Sequence, residues 1–258
     1  MIIRRSRSII LRTTDYGESD RLITFFSRRT GLLKGIAKGA RRSKKRFVHS
    51  LEPLCYASIT YAERSASGLV RIDASELRNP FTSLRADIER LGYGSLGCEV
   101  ILGIAPERQA NPPLFDLLLQ YLLQLEKGRD PESISLLFQI RVLSLSGFAP
   151  NLQGCIQCHR QPDAAAGWSF SVAAGSLCCP EHSRSTDSYA VSLGTILLLR
   201  QAQLFPVARM WRLRFHPRSR EECRPLLIDL LRHHLEKDLK SLKLLRQIGA
   251  LPQATSLT

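Results

Sequence analysis

Acidic residues are scarce where the chain begins. Residues 1–50 hold 14 Lys and Arg against only Asp15, Glu18 and Asp20, a net charge of +11 out of +14 for all 258 residues. No acid interrupts the set Lys34, Lys38, Arg41, Arg42, Lys44, Lys45 and Arg46. Such an excess points to a polyanionic partner, of which nucleic acid is the commonest. A solvated basic loop is the plainer alternative. The charge lies among strand-like segments rather than in a detached tail, which favours a binding face.

Long hydrophobic runs are also missing. Stretches such as 114–125 are too short to span a bilayer, so no membrane partner is expected. The start, Met1-Ile2-Ile3-Arg4-Arg5, lacks a signal-peptide core and a small-residue cleavage site. The expected location is the cytoplasm. There is no internal repeat and no low-complexity region.

Several catalytic patterns are absent. Gly35-Ile36-Ala37-Lys38-Gly39 lacks the spacing and the ending of a phosphate-binding P-loop, which argues against ATP hydrolysis. No group of carboxylates could hold two metals for a nuclease, and no nucleophile is paired with a base. Gly92-Tyr93-Gly94-Ser95-Leu96-Gly97 matches the dinucleotide fingerprint as a string. However, 86–91 before it has the pattern of an amphipathic helix, not a buried strand. Those glycines are better explained by close helix packing. His233-His234 are neighbours in sequence and so do not share a helix face, which makes a metal pair there improbable. The chemistry on offer is binding, and the chain is expected not to be an enzyme.

An apolar share of 44% supports a globular core, and the length suits one large domain or two ordinary ones. Residues 8–14, 21–27, 32–37, 55–62 and 69–74 are short β-rich segments punctuated by Gly17, Gly31, Gly35, Gly39, Pro53 and Gly68. Five strands at this spacing predict a small β-barrel of the OB type over 1–78. Aromatics Tyr16, Phe25, Phe26, Phe47, Tyr56 and Tyr61 accompany the charge; most should fill the barrel, and none is assigned a stacking role. After Asn79-Pro80 the period becomes helical. Helices are expected from Leu84 to Leu102, over 114–125 behind an Asn111 cap, over 131–146, over 192–203 and over 221–248. The second of these is apolar nearly all round and should sit centrally. In the last, Leu231, Leu235, Leu239, Leu242 and Leu245 form an apolar stripe among basic residues. The tail 251–258 is expected to fray. The fold class is therefore α+β, a barrel followed by a helical domain over 79–258 with an insertion at 151–190.

Seven cysteines are unevenly placed. Cys55, Cys98 and Cys223 stand alone in apolar surroundings and are expected in the core. Cys155-Ile156-Gln157-Cys158 and Cys179-Pro180-Glu181-His182 are two paired-ligand turns separated by twenty residues. That arrangement suits tetrahedral zinc, in a closed and therefore structural site with no open position for water. Thiolates with one imidazole favour zinc over magnesium or calcium. Cys178 could replace Cys179, and His159 lies beside Cys158. Cys179 is preferred because its spacing to His182 repeats that of the first pair. A metal-free lobe packed on Trp168 and Phe170 is the alternative.

The order of these parts resembles the RecO family of bacterial DNA repair and recombination mediator proteins. The likeness is carried by Leu11-Arg-Thr-Thr-Asp-Tyr-Gly-Glu-Ser-Asp-Arg-Leu22, by 25–31, and by Lys34-Gly35-Ile36-Ala37-Lys38-Gly39-Ala40-Arg41-Arg42. Leu51-Glu-Pro-Leu54, then 143–150, and His234-Leu-Glu-Lys-Asp-Leu-Lys-Ser-Leu242 follow in the same order. The resemblance implies an N-terminal OB-fold, a helical domain and, in many members, a zinc-binding insertion. It implies binding of single- and double-stranded DNA and annealing of complementary strands. It also implies work with RecR and the single-strand-binding protein to load RecA, in association with the nucleoid. His182 departs from the all-cysteine ligand sets of zinc-bearing relatives. An RNA-binding or translation-associated module on the same barrel is the competing expectation.

Overall fold

The computed structural model describes residues 2–43, 45–63, 68–128, 130–164, 167–183 and 188–253. The chain groups into two compact units, residues 1–127 with 240–258, and residues 128–239.

The first unit opens with five strands, β1 (Ile2–Tyr16), β2 (Asp20–Ser27), β3 (Gly31–Ala37), β4 (Tyr56–Glu63) and β5 (Val70–Asn79). They close in the order β1-β2-β3-β5-β4, with β4 returning to β1. This is the OB-type barrel of an α+β protein. β1 is long because it serves two neighbours. Residues 2–9 pair with β4 and residues 8–16 with β2, across a bulge between Ile10 and Arg12. Such a bulge bends one strand around a barrel corner. The closing seam, parallel β3 on β5, is only two residue pairs wide, Gly35 with Val70 and Ile36 with Arg71. Gly35 permits it, because a Cβ there would lie 2.8 Å from the Val70 side chain.

β1 starts six residues before its expected limit, and β5 runs five residues beyond. Ile2–Arg7 lacks an apolar alternation, and its order comes from the β4 ladder instead. The core holds Ile10, Ile23, Phe25, Leu33, Ile59, Tyr61, Val70 and Ile72, joined by Ala40, Phe47, Leu51 and Cys55 from the β3–β4 connection.

Four helices complete this unit, α1 (Thr82–Ala86), α2 (Ile88–Ile104), α3 (Pro112–Lys127) and the C-terminal α8 (Lys240–Gln247). The glycines of α2 let neighbours approach. A Cβ on Gly97 would fall 2.3 Å from the Tyr121 ring of α3, and one on Gly92 would fall 2.7 Å from Leu245 of α8. Two helix starts are capped from a distance. The Glu126 carboxylate accepts from the Ser83 and Leu84 N–H groups, and Glu99 accepts from Lys240 N–H, Ser241 N–H and the Ser241 hydroxyl. α3 buries one face and exposes Pro113, Gln120 and Lys127, so it is less central than its composition suggested.

The second unit is built on α4 (Pro131–Leu145), buried along most of its length and capped by Asp130. α5 (Leu193–Leu204) and α7 (Pro217–Leu235) pack on it, and α6 (Val207–Met210) lies between those two in sequence. A sheet of β6 (Asn151–Cys155), β7 (Ser169–Ser171), β8 (Ser176–Cys178) and β9 (Ser188–Ala190) meets α5 through β6 and α7 through β9. The single helix expected over 221–248 is two. Glu236 takes a left-handed φ of 50° and ends α7, and α8 restarts four residues later in the other unit. The expected fraying at 251–258 is overturned at its start, where Leu251 is buried and its N–H donates to the Leu245 carbonyl at 3.1 Å. Residues 254–258 of that tail lie outside the described residues.

Candidate nucleic-acid interface and metal centre

The basic loop between β3 and β4 is tied down at several points. Gly39 turns the chain with φ of 65°, and its N–H donates to Asp20 Oδ1 at 2.8 Å. The Arg41 N–H donates to the Ser19 carbonyl at 3.0 Å. Further on, the Ser75 N–H of β5 donates to the Arg46 carbonyl at 2.9 Å, and Phe47 is buried in the barrel core. The Gly39 N–H, then the Ser19 hydroxyl, hold Asp20 below the usual carboxylate range against its desolvation, and Lys38 adds to the effect.

This tethering divides the basic residues into two groups. Lys34 is ion-paired with Glu107. Arg41 lies 3.7 Å from Asp15 Oδ2 and donates to the Glu18 carbonyl. Arg46 builds the loop, donating to the Lys38 carbonyl at 2.8 Å with its guanidinium over the Phe47 ring. Lys38, Arg42 and Lys45 are exposed, and their side chains make no ion pair or hydrogen bond among the described residues. Lys44 lies outside the described residues. Among the accompanying aromatics, Phe25, Phe26, Phe47 and Tyr61 are core, and Tyr16 is exposed. On the N-terminal half of β1, Arg4 pairs with Glu63 and Arg5 with Glu76, whereas the Arg7 side chain has no partner among the described residues. Sequence reasoning missed Arg28 and Arg29, at the end of β2, which share a cavity with Arg5 and Arg7. The available signal was an adjacent arginine pair just before a turn glycine.

The second site lies in the small sheet. β6 ends at Cys155, where the chain reverses tightly. The His159 N–H donates to the Cys155 carbonyl, and the Cys155 N–H donates to the Arg160 carbonyl, both at 2.9 Å. Gly154 is required beneath this turn, since a Cβ would lie 2.9 Å from the Arg160 carbonyl oxygen. The other turn is tighter, closing over three residues rather than four, with the His182 N–H donating to the Cys179 carbonyl at 2.9 Å. The turns bring Cys155, Cys158, Cys179 and His182 together, with all four donor atoms within 4.8 Å of one another. Cys158 Sγ lies 3.7 Å from Cys179 Sγ, and His182 Nδ1 lies 3.6 Å from Cys155 Sγ and 3.2 Å from Cys179 Sγ. A tetrahedral shell of sulfur and nitrogen has edges of about 3.5–3.8 Å, whereas a disulfide needs about 2.05 Å. This cluster could hold a metal ion.

Burial resists ionisation of Cys155, but backbone hydrogen bonds from Cys158, Cys179 and Gln157 outweigh it and bring the thiol down to about 6. Cys178 closes the β7–β8 ladder opposite Ser169 and is not in the cluster, and burial pushes its thiol up. His159 is also outside the cluster. Trp168 and Phe170 are buried beside it, with the Trp168 indole N–H donating to Asp163 at 3.0 Å.

Comparison with known proteins covers nearly the whole chain. Residues 1–81 match the family model described as Recombination protein O N terminal, and residues 85–243 match Recombination protein O C terminal. The chain is similar to the DNA repair protein RecO of Syntrophobacter fumaroxidans, 40% identical over 94% of this chain and 97% of that protein. It is 32% identical to the DNA repair protein RecO of Syntrophus aciditrophicus, over 95% of each. A further relative, the DNA repair protein RecO of Syntrophotalea carbinolica, is 32% identical over 94% of each. No described helix is long and apolar enough to cross a membrane.

Proposed function

Because this chain belongs to the RecO family of DNA repair proteins, we propose that it is a recombination mediator that binds single- and double-stranded DNA and anneals complementary strands. With RecR it helps load RecA onto DNA coated with single-strand-binding protein. It acts in the cytoplasm on the nucleoid, and changes no covalent bond. The observation that carries this reading is the tethered loop bearing Lys38, Arg42 and Lys45, which are exposed and make no ion pair or hydrogen bond among the described residues. Cations held on a rigid loop can neutralise phosphates without gripping bases, so two like-charged strands can approach with their bases free to pair. Lys34, Arg41 and Arg46 add to this basic surface partly through their own ion pairs and hydrogen bonds, and Lys44, outside the described residues, is assigned to phosphate binding by its place in the basic run.

The metal assigned to Cys155, Cys158, Cys179 and His182 is structural zinc. The support is the donor set, three thiols and one imidazole whose donor atoms lie within 4.8 Å of one another. When bound, zinc would hold the two turns of this lobe together.

Annealing of two complementary oligonucleotides coated with single-strand-binding protein, without ATP, tests the reading. The intact protein should accelerate it, and the double variant Arg42→Glu, Lys45→Glu should not. Equal rates with and without the intact protein would overturn the annealing role.

A further inference from the structure

A second group of cations lies on the barrel wall, away from the β3–β4 loop. Arg5, Ser6, Arg7, Arg28, Arg29 and Ser58 line a cavity of about 390 Å³. Arg5 and Arg7 face β4 from β1, in register with Thr60 and Ser58. The Arg28 N–H donates to the Arg7 carbonyl at 3.0 Å, which brings the β2–β3 turn over the same place.

Two of the four guanidinium groups are anchored. Arg28 makes a two-pronged contact with Asp116 at 2.9 and 3.0 Å, and Arg5 meets Glu76. The side chains of Arg7 and Arg29 are exposed and have no partner among the described residues. Ser58 is buried, and its hydroxyl accepts from Arg78 at 2.9 Å, which leaves its own proton to donate. The lining therefore offers two uncompensated guanidinium forks and a hydroxyl, without an aromatic ring. Guanidinium forks match phosphate oxygens in pairs, and a cavity without rings has nothing on which a base could stack.

We infer that this cavity is a second phosphodiester-binding site, which holds the backbone of a second single strand while the β3–β4 loop holds the first. The inference rests on the DNA-binding reading above and adds a separate strand site to it. Arg7 lies eight residues before Asp15, the partner of Arg41, so the two sites are up to about 26 Å apart along β1 at about 3.3 Å per residue.

The test uses the full chain with two short oligothymidylates, one carrying a donor dye and the other an acceptor. The intact protein should bring them together and give energy transfer. Arg7→Glu with Arg29→Glu should abolish the transfer yet still bind one strand, with the log–log salt slope of that first-strand binding unchanged because its phosphate contacts lie on the β3–β4 loop. Arg7→Gln with Arg29→Gln should do the same without added repulsion, and an unchanged melting temperature shows that the fold is intact. Transfer that survives both pairs of substitutions overturns the second site. So does its absence from an intact protein that binds one strand. Binding of no strand by the intact protein overturns the DNA-binding reading itself. If inorganic phosphate displaces the second strand as well as an oligonucleotide of equal phosphate concentration, the cavity is a free-phosphate site and the strand assignment fails.

Discussion

At the scale of single residues, Asp20 has the widest reach. Its carboxylate receives the Gly39 N–H and so anchors the start of the basic loop. Asp20→Ala should leave the barrel folded and speed amide exchange at Gly39, and loosening the loop should slow annealing several-fold. The pH dependence has a definite sign. The folded-state pKa of Asp20 lies below its ordinary 3.8, so the contribution is fully present above 3.8 and fades as pH falls below it. Protection of the Gly39 amide, followed by NMR through that window, should outlast the titration of ordinary aspartates. Arg41 and Arg42 differ for a related reason. Adjacent and chemically identical, they are indistinguishable in the sequence. Only Arg41 meets Asp15 and the Glu18 carbonyl, groups more than twenty residues away. Charge reversal at Arg42 should therefore weaken single-strand binding more than reversal at Arg41, as measured by anisotropy at low salt.

At the scale of elements, the tightest approach is between α2 and α3. Tyr121 cannot easily retreat from Gly97, because its hydroxyl also donates to the Tyr93 carbonyl at 2.7 Å. Gly97→Ala should cost about 1–3 kcal/mol by overpacking, seen as a fall in thermal midpoint of about 2–4 °C per kcal/mol. Loss of the Glu99 carboxylate in Glu99→Ala should cost about 0.5–2 kcal/mol, the range for a lost helix cap. Amide exchange should rise first at Lys240 and Ser241. In the small sheet, chelation should release one metal ion per chain and unfold residues around Cys155–Cys158 and 179–183, while the barrel amides stay protected. Cys158→Ser should reproduce this and Cys178→Ser should not, as read by metal content.

The barrel strands were legible because short segments rich in β-branched and aromatic residues are punctuated by glycine and proline, most helices because apolar residues recur at helical spacing, and the two cysteine turns because both partners of each pair are local. The break between α7 and α8 was hidden by a leucine stripe that runs on through it, with Leu231 to Leu245 buried on both sides. What separates the helices is a left-handed Glu236 and a cap from Glu99, more than a hundred residues away. Neither leaves a mark in local periodicity. The Arg28 and Arg29 cavity was hidden because it needs two registers at once, β1 on β2 with Ser8 opposite Ser27, and β1 on β4 with Arg7 opposite Ser58.

For the whole molecule, charge and chain path matter most. With Lys38, Arg42 and Lys45 as the uncommitted cations among the loop's described residues, the log–log salt slope for a single strand should be negative and at least about 2 in magnitude. A slope near zero would sink the electrostatic account. The chain path has a different consequence, one that concerns birth rather than binding. The first unit is completed only by α8, whose Leu245 fills the space above Gly92, yet residues 128–239 are made in between. At roughly 5–20 residues per second, a ribosome needs about 6–22 s to cross that interval. Throughout it the nascent barrel and α2 wait with an open apolar seam. A message that pauses or breaks late in translation would therefore strand an almost complete polypeptide in a form that chaperones and proteases recognise.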